Sequence, residues 1–124
     1  MKKQFILLAI AAVFVSAYAV FRSNPTEAAP HNNISYANDV RPILESRCGK
    51  CHMGDFVSEG LDMNTYESLM AGSQNGPVIV PGEAGDSLMI QKLVEGKMPK
   101  RGLKLTPAQI QLMSSWIDAG APNN

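Results

Sequence analysis

Apolar residues recur along this chain at helical rather than strand spacing. Val40, Ile43 and Leu44 stand at i, i+3 and i+4, and Pro42 falls where a first helical turn tolerates a missing N–H. A helix capped by Asp39 and running into Cys48 is therefore expected. Asn64-Thr65-Tyr66-Glu67 offers a capped start to a short helix that ends at Ala71 before Gly72. Asp86 to Glu95 carries Leu88, Met89, Leu93 and Val94, with Asp86 or Ser87 as cap and Gly96 as stop. The sharpest boundaries belong to a last helix. Thr106-Pro107-Ala108-Gln109 is a capping box with proline at the first helical position, Ile110, Met113 and Ile117 form a stripe with Trp116 beside it, and Gly120 and Pro122 end it. No strand pair, repeat or low-complexity tract interrupts this pattern. The expected fold class is all-α, three to five helices joined by long loops.

Ahead of these helices lies an apolar run of another kind. Lys2 and Lys3 precede an uncharged stretch from Phe5 to Phe21, and Ala17-Tyr18-Ala19 has the form of a signal-peptidase site. Residues 1–19 are expected to be a cleaved signal peptide. Left uncleaved, the run would be an anchor to about residue 22, close to the roughly 20 residues that span a bilayer. Either outcome places the remainder outside the cytoplasm, in the periplasm or tethered to the membrane facing it, because the two lysines hold the N-terminus inside. Residues 20–35, rich in Pro, Asn, Ser and Ala, read as a linker that includes His31, and residues 36–124 as one folded domain.

The chain of 124 residues has 11 basic and 11 acidic side chains, and cleavage after Ala19 would take the basic count to 9, a formal −2. That balance argues against nucleic acid as a partner. The folded part is small enough to need help from a cofactor, metal or disulfide.

The candidate chemistry is concentrated in Cys48-Gly49-Lys50-Cys51-His52, which holds both cysteines of the chain and one of its two histidines. C-x-x-C-H is the attachment signature of c-type haem. The two thiols can bond neighbouring vinyl groups of one porphyrin, and His52 then falls under the ring as an iron ligand. A structural zinc site would need four ligands, and only His31 could join these three. A thioredoxin-like dithiol would want a βαβ setting that the pattern lacks. A covalent haem, in contrast, would give the long loops something to wrap and the small core an apolar centre.

An electron carrier usually binds haem iron from both faces. Of the seven methionines, Met1 leaves with the signal, Met53 adjoins His52, and Met89 and Met113 occupy helix faces where methionine fills core. Met98 differs: Pro99 drives it towards an extended conformation in a loop 46 residues beyond His52. Met98 is the leading distal candidate, with Met70 and Met63 next. An open sixth site would instead suit gas binding or a peroxidase-like role.

Tyr36-x-x-Asp39-Val40-x-Pro42-Ile43-Leu44, the Cys48–His52 motif, Gly60-Leu61, Ile79-Val80-Pro81-Gly82, Ser87-Leu88, Met98-Pro99 and Trp116-Ile117-x-x-Gly120-Ala121 together resemble the class I monohaem cytochrome c domain. The likeness is greatest to bacterial exported modules, some of them fused to larger enzymes. It implies an all-α cytochrome c fold around one covalent haem c, with thioethers at Cys48 and Cys51, proximal His52 and distal Met98. The first and last helices are implied to cross, with Val40, Ile43 and Leu44 meeting Met113, Trp116 and Ile117. The implied function is one-electron transfer rather than catalysis, or electron entry into a larger oxidoreductase. At Lys100-Arg101 the chain departs from the many relatives that carry a second proline or an apolar residue there. Lys97, Lys100, Arg101 and Lys104 make that loop basic, and it is expected to steer an acidic redox partner.

Overall fold

A computed structural model of the chain describes residues 33–124. The signal or anchor segment, His31 and most of the linker lie outside the described residues. A π-helical turn, Tyr36–Val40, runs directly into α1 (Arg41–Arg47) and then α2 (Gly49–His52). A 3₁₀ turn at Ser58–Gly60 leads to α3 (Tyr66–Ala71), followed by α4 (Leu88–Val94) and α5 (Pro107–Asp118). Among the described residues there is no β-strand, only an isolated antiparallel bridge between Ser73 and Gly76. The architecture is all-α, as the spacing predicts, and no described helix is long and apolar enough to cross a membrane.

The first helical segment begins at Tyr36, not at Asp39. Ser35 is the cap, its hydroxyl accepting from the Asn38 N–H (3.2 Å). The Asp39 carboxylate folds back to take the Ser35 N–H (2.8 Å), so it serves the cap from inside the turn. The expected capping box of Thr106 with Gln109 forms on α5, and α3 starts within the expected stretch through a box of Thr65 with Ser68. Helix α4 starts after Ser87, one of the two cap positions expected, but the Ser87 side chain is used elsewhere. Its buried hydroxyl accepts from the Val80 N–H (2.9 Å) and donates to the Glu83 carbonyl (3.0 Å), and it makes no cap bond.

These helices share one core. Val40, Ile43, Leu44, Met113, Trp116 and Ile117 all belong to it. The last helix meets the first segment through the Tyr36–Val40 turn. There the Tyr36 ring stacks on Trp116, with centroids 5.6 Å apart and planes at 29°. Tyr66 meets Tyr36 edge-on at 5.2 Å, and its hydroxyl donates to the Ala121 carbonyl (2.7 Å). Trp116 Nε1 donates to the Pro122 carbonyl (3.0 Å). Asn124 completes the seam by accepting the Tyr36 N–H on its side chain (2.8 Å) and the Ala37 N–H on its carbonyl (3.0 Å), two donors that a helix start leaves free.

The loop between α3 and α4 is fixed just as closely. Gly72 has φ of +88°, and a Cβ there would lie 2.5 Å from the Gly76 carbonyl oxygen. Further on, the Gly82 N–H donates to the Ile117 carbonyl (2.7 Å) and the Ala84 N–H to the Asp118 carboxylate (2.8 Å). Residues 78–87 are thereby fastened to the end of α5. The Ser87 hydroxyl holds that segment from within, so Ser87→Ala should leave the Val80 N–H without its acceptor and cost about 0.5–1.5 kcal/mol, read as a lower urea-unfolding midpoint with an unchanged slope.

Candidate functional site

The motif is placed by a short break in helix. Helix α1 ends at Arg47, Cys48 lies between the two helical segments, and α2 carries Gly49 to His52 in a single turn. The His52 N–H donates to the Cys48 carbonyl at 3.0 Å, which brings both thiols and the imidazole onto one turn. Cys51 is exposed and Cys48 half-buried, packed against the core, and both are free thiols. Burial pushes the Cys48 thiol up to about 11, with the neighbouring Cys51 adding to the rise.

His52 is 92% shielded from solvent in an otherwise apolar setting, with a relative exposure of 8%. Its Nδ1 lies 3.2 Å from the Leu61 carbonyl oxygen. A carbonyl can only accept, so Nδ1 carries the proton and Nε2 is left with its lone pair. A backbone bond from the Met63 N–H to the His52 carbonyl (2.7 Å) brings the segment containing Leu61 against the histidine. Beside Cys48, the Arg47 Nε is buried with no acceptor among the described residues.

Met98 lies in the loop between α4 and α5, half-buried and packed against the same core as Cys48. The Lys97 and Met98 N–H groups both donate to the Lys92 carbonyl (3.0 and 3.1 Å), and the Met98–Pro99 peptide is cis. Pro99 is buried, and the Lys104 ammonium donates to its carbonyl. Of the other methionine candidates, Met63 is buried in the core with its own N–H on His52, while Met70 is half-buried on α3.

The basic loop is less free than its sequence implies. Lys97 pairs with Glu95 at 2.9 Å, and that bond, with the lysine's charge, holds the Glu95 carboxyl below its ordinary range. Lys104 is engaged with Pro99, which leaves Lys100 and Arg101 as exposed cations of the loop. The sequence reading took Lys104 as a docking cation and Asn64 as part of a helix start, and it missed the Lys104 bond to Pro99, the Asn64 bonds to Gly54 and the Leu61 carbonyl on His52. Only Asp62-x-Asn64, an Asx-rich turn signal, marked the neighbourhood of the last two.

The residues fit a covalently held haem. An imidazole with Nδ1 occupied by a carbonyl and Nε2 available is the donor state that metal-binding histidines adopt, and two thiols precede it on the same turn. Among the described residues no three or more His, Cys, Asp or Glu side chains are grouped to hold a metal ion by themselves. A family model described as Planctomycete cytochrome C matches residues 48–102, from the first motif cysteine through the Met98 loop. These 55 of 124 residues are somewhat under half the chain. The match supports a cytochrome c-like domain, and with it haem c and electron transfer in place of catalysis. No curated protein and no solved structure matches the chain.

The two thiols differ in access. Alkylation of the haem-free chain near pH 8 should label exposed Cys51 before Cys48, and the Cys48 rate should climb with pH towards about 11. Peptide mass mapping over time reads the order. Haem attachment should block labelling at both positions.

Proposed function

We propose that this domain is an exported one-electron carrier with an all-α cytochrome c fold and a single covalent haem c. Cys48 and Cys51 would provide the thioethers, His52 the proximal ligand and Met98 the distal one. The observation that carries the reading is the buried His52, its Nδ1 on the Leu61 carbonyl and its Nε2 free, one residue after the second of two paired thiols. When bound, the haem supplies the Fe(III)/Fe(II) couple.

The chain's own residues do the rest. Leu61 fixes the imidazole's tautomer and orientation through its carbonyl. Leu44, Leu69, Ile79 and Trp116 form part of the water-excluding core. A thioether opposite an imidazole raises the potential relative to a second nitrogen donor, and the Lys92 and Pro99 carbonyls fasten the loop that carries Met98. A carrier with both axial positions filled by protein has no place for a substrate, which is why electron transfer fits better than catalysis. Lys100 and Arg101, with Lys97 and Lys104 near them, would meet an acidic redox partner in a small transient contact. Export to the periplasm, or tethering to a membrane facing it, follows from the segment ahead of residue 22.

Acid-acetone treatment of the purified protein is expected to leave the haem on the polypeptide, and extraction of the haem would refute covalent attachment. In the oxidised protein Met98→Ala should abolish the sulfur-to-iron charge-transfer band and lower the potential. Persistence of that band would remove Met98 from the site. Raising ionic strength from about 0.01 to 0.15 M shortens the Debye length from about 30 to 8 Å, so reduction by an acidic partner should slow severalfold in stopped flow. A rate independent of salt would refute steering.

A further inference from the structure

The segment from His52 to Asn64 is tied shut at both ends. The Met63 N–H reaches the His52 carbonyl, and one residue further out the Asn64 carboxamide spans back to Gly54. Its Oδ1 accepts from the Gly54 N–H (3.0 Å) while its Nδ2 donates to the Gly54 carbonyl (3.1 Å), so one side chain satisfies both polar groups of one residue. Asp62 holds this carboxamide in place. Its Oδ1 accepts from both the Asn64 backbone N–H (2.7 Å) and Nδ2 (2.8 Å), a pattern that a flipped amide could not satisfy. A third tie lies at the far side of the loop, where Gln74 binds the carbonyl (3.0 Å) and carboxylate (2.8 Å) of Glu59.

Leu61 lies between these ties. Its carbonyl is the acceptor on His52 Nδ1, while its own N–H donates to the Ser58 carbonyl (3.1 Å) at the end of the 3₁₀ turn, which holds it on one side only. We propose that Asn64, oriented by Asp62, is a positioning residue for His52: by clasping Gly54 it keeps the Leu61 carbonyl on Nδ1, and so sets the orientation and donor strength of the imidazole. The proposal rests on the reading of His52 as a haem ligand. A firm acceptor on Nδ1 makes an imidazole a stronger donor and favours the higher oxidation state of its metal. Loosening the clasp should therefore raise the potential.

The test uses the haem-loaded protein labelled with ¹⁵N-histidine. In the reduced state, Asn64→Ala should speed exchange of the His52 ring proton by about tenfold, in line with losses on removing outer-shell partners, and should shift the midpoint potential upward. Asn64→Asp, which keeps the acceptor for Gly54 N–H but loses the donors, should move both readouts in the same direction and serves if the alanine variant does not fold. Asp62→Asn keeps Oδ1 as an acceptor and should match the wild type, whereas Asp62→Ala should not. Thr106→Ala removes the remote α5 cap and measures destabilisation alone. Unchanged exchange and potential in both Asn64 variants, or equal shifts in Thr106→Ala, would overturn the proposal. If the wild-type protein holds no covalent haem, the haem reading fails by itself. Ring-proton exchange then still decides the clasp, with acceleration in the Asn64 variants supporting it and none overturning it.

Discussion

A helix of seven residues does not hold together on its backbone bonds, and among the described α-helices only α5, with 12 residues, exceeds that length. Isolated helices shorter than about 12–15 residues are marginal in water even with favourable composition. Each element of this domain therefore depends on what packs against it or ties down its ends. The π-helical turn and α1 borrow order from Trp116 and Asn124, and α3 from its capping box and the Tyr66 hydroxyl. Helix α4 hangs from a loop that Ser87 knots internally and that α5 holds by the Ile117 carbonyl and the Asp118 carboxylate. Side chains bonded to distant backbone recur at each of these joints.

The same device shapes the site. Cys48, Cys51 and His52 need only one helical turn to come together, but a buried imidazole needs a hydrogen-bond partner. The Leu61 carbonyl provides it from a segment with no regular structure. On the other flank, Pro99 is held by Lys104 and the Lys92 carbonyl takes two consecutive N–H groups. Both segments thus acquire a fixed shape through polar contacts, while their apolar residues remain available to the core. The electrostatic outcome is asymmetric: two of the five cations between Lys92 and Lys104 are engaged in holding the loop or pairing with Glu95, and Lys100 and Arg101 carry its outward charge.

What could be read in the sequence was what is decided within four residues. The Thr65 and Thr106 caps, the burial of Val40, Ile43 and Leu44, and the Gly72 stop follow from local spacing and appear where expected. The start of the first helix was misplaced because Ser35 sits in a polar stretch that resembles linker, and because Asp39 bonds backwards to Ser35 instead of opening a helix. Ser87 was expected as a cap, yet its hydroxyl serves a loop seven residues upstream. That Cys48, Cys51 and His52 share one turn was legible from their spacing. The Leu61 acceptor and the Asn64 clasp were not, since ties across ten residues depend on loop conformations that no periodicity encodes.

Trp116 has a consequence of a different sort. It is the single tryptophan of the chain, fully buried, stacked on Tyr36 and bonded to the Pro122 carbonyl. The domain thus contains one indole, and it stands at the junction of its first and last helical segments. In the haem-free chain its emission maximum reports whether water has entered that junction. That emission gives a direct view of how the chain closes around its core.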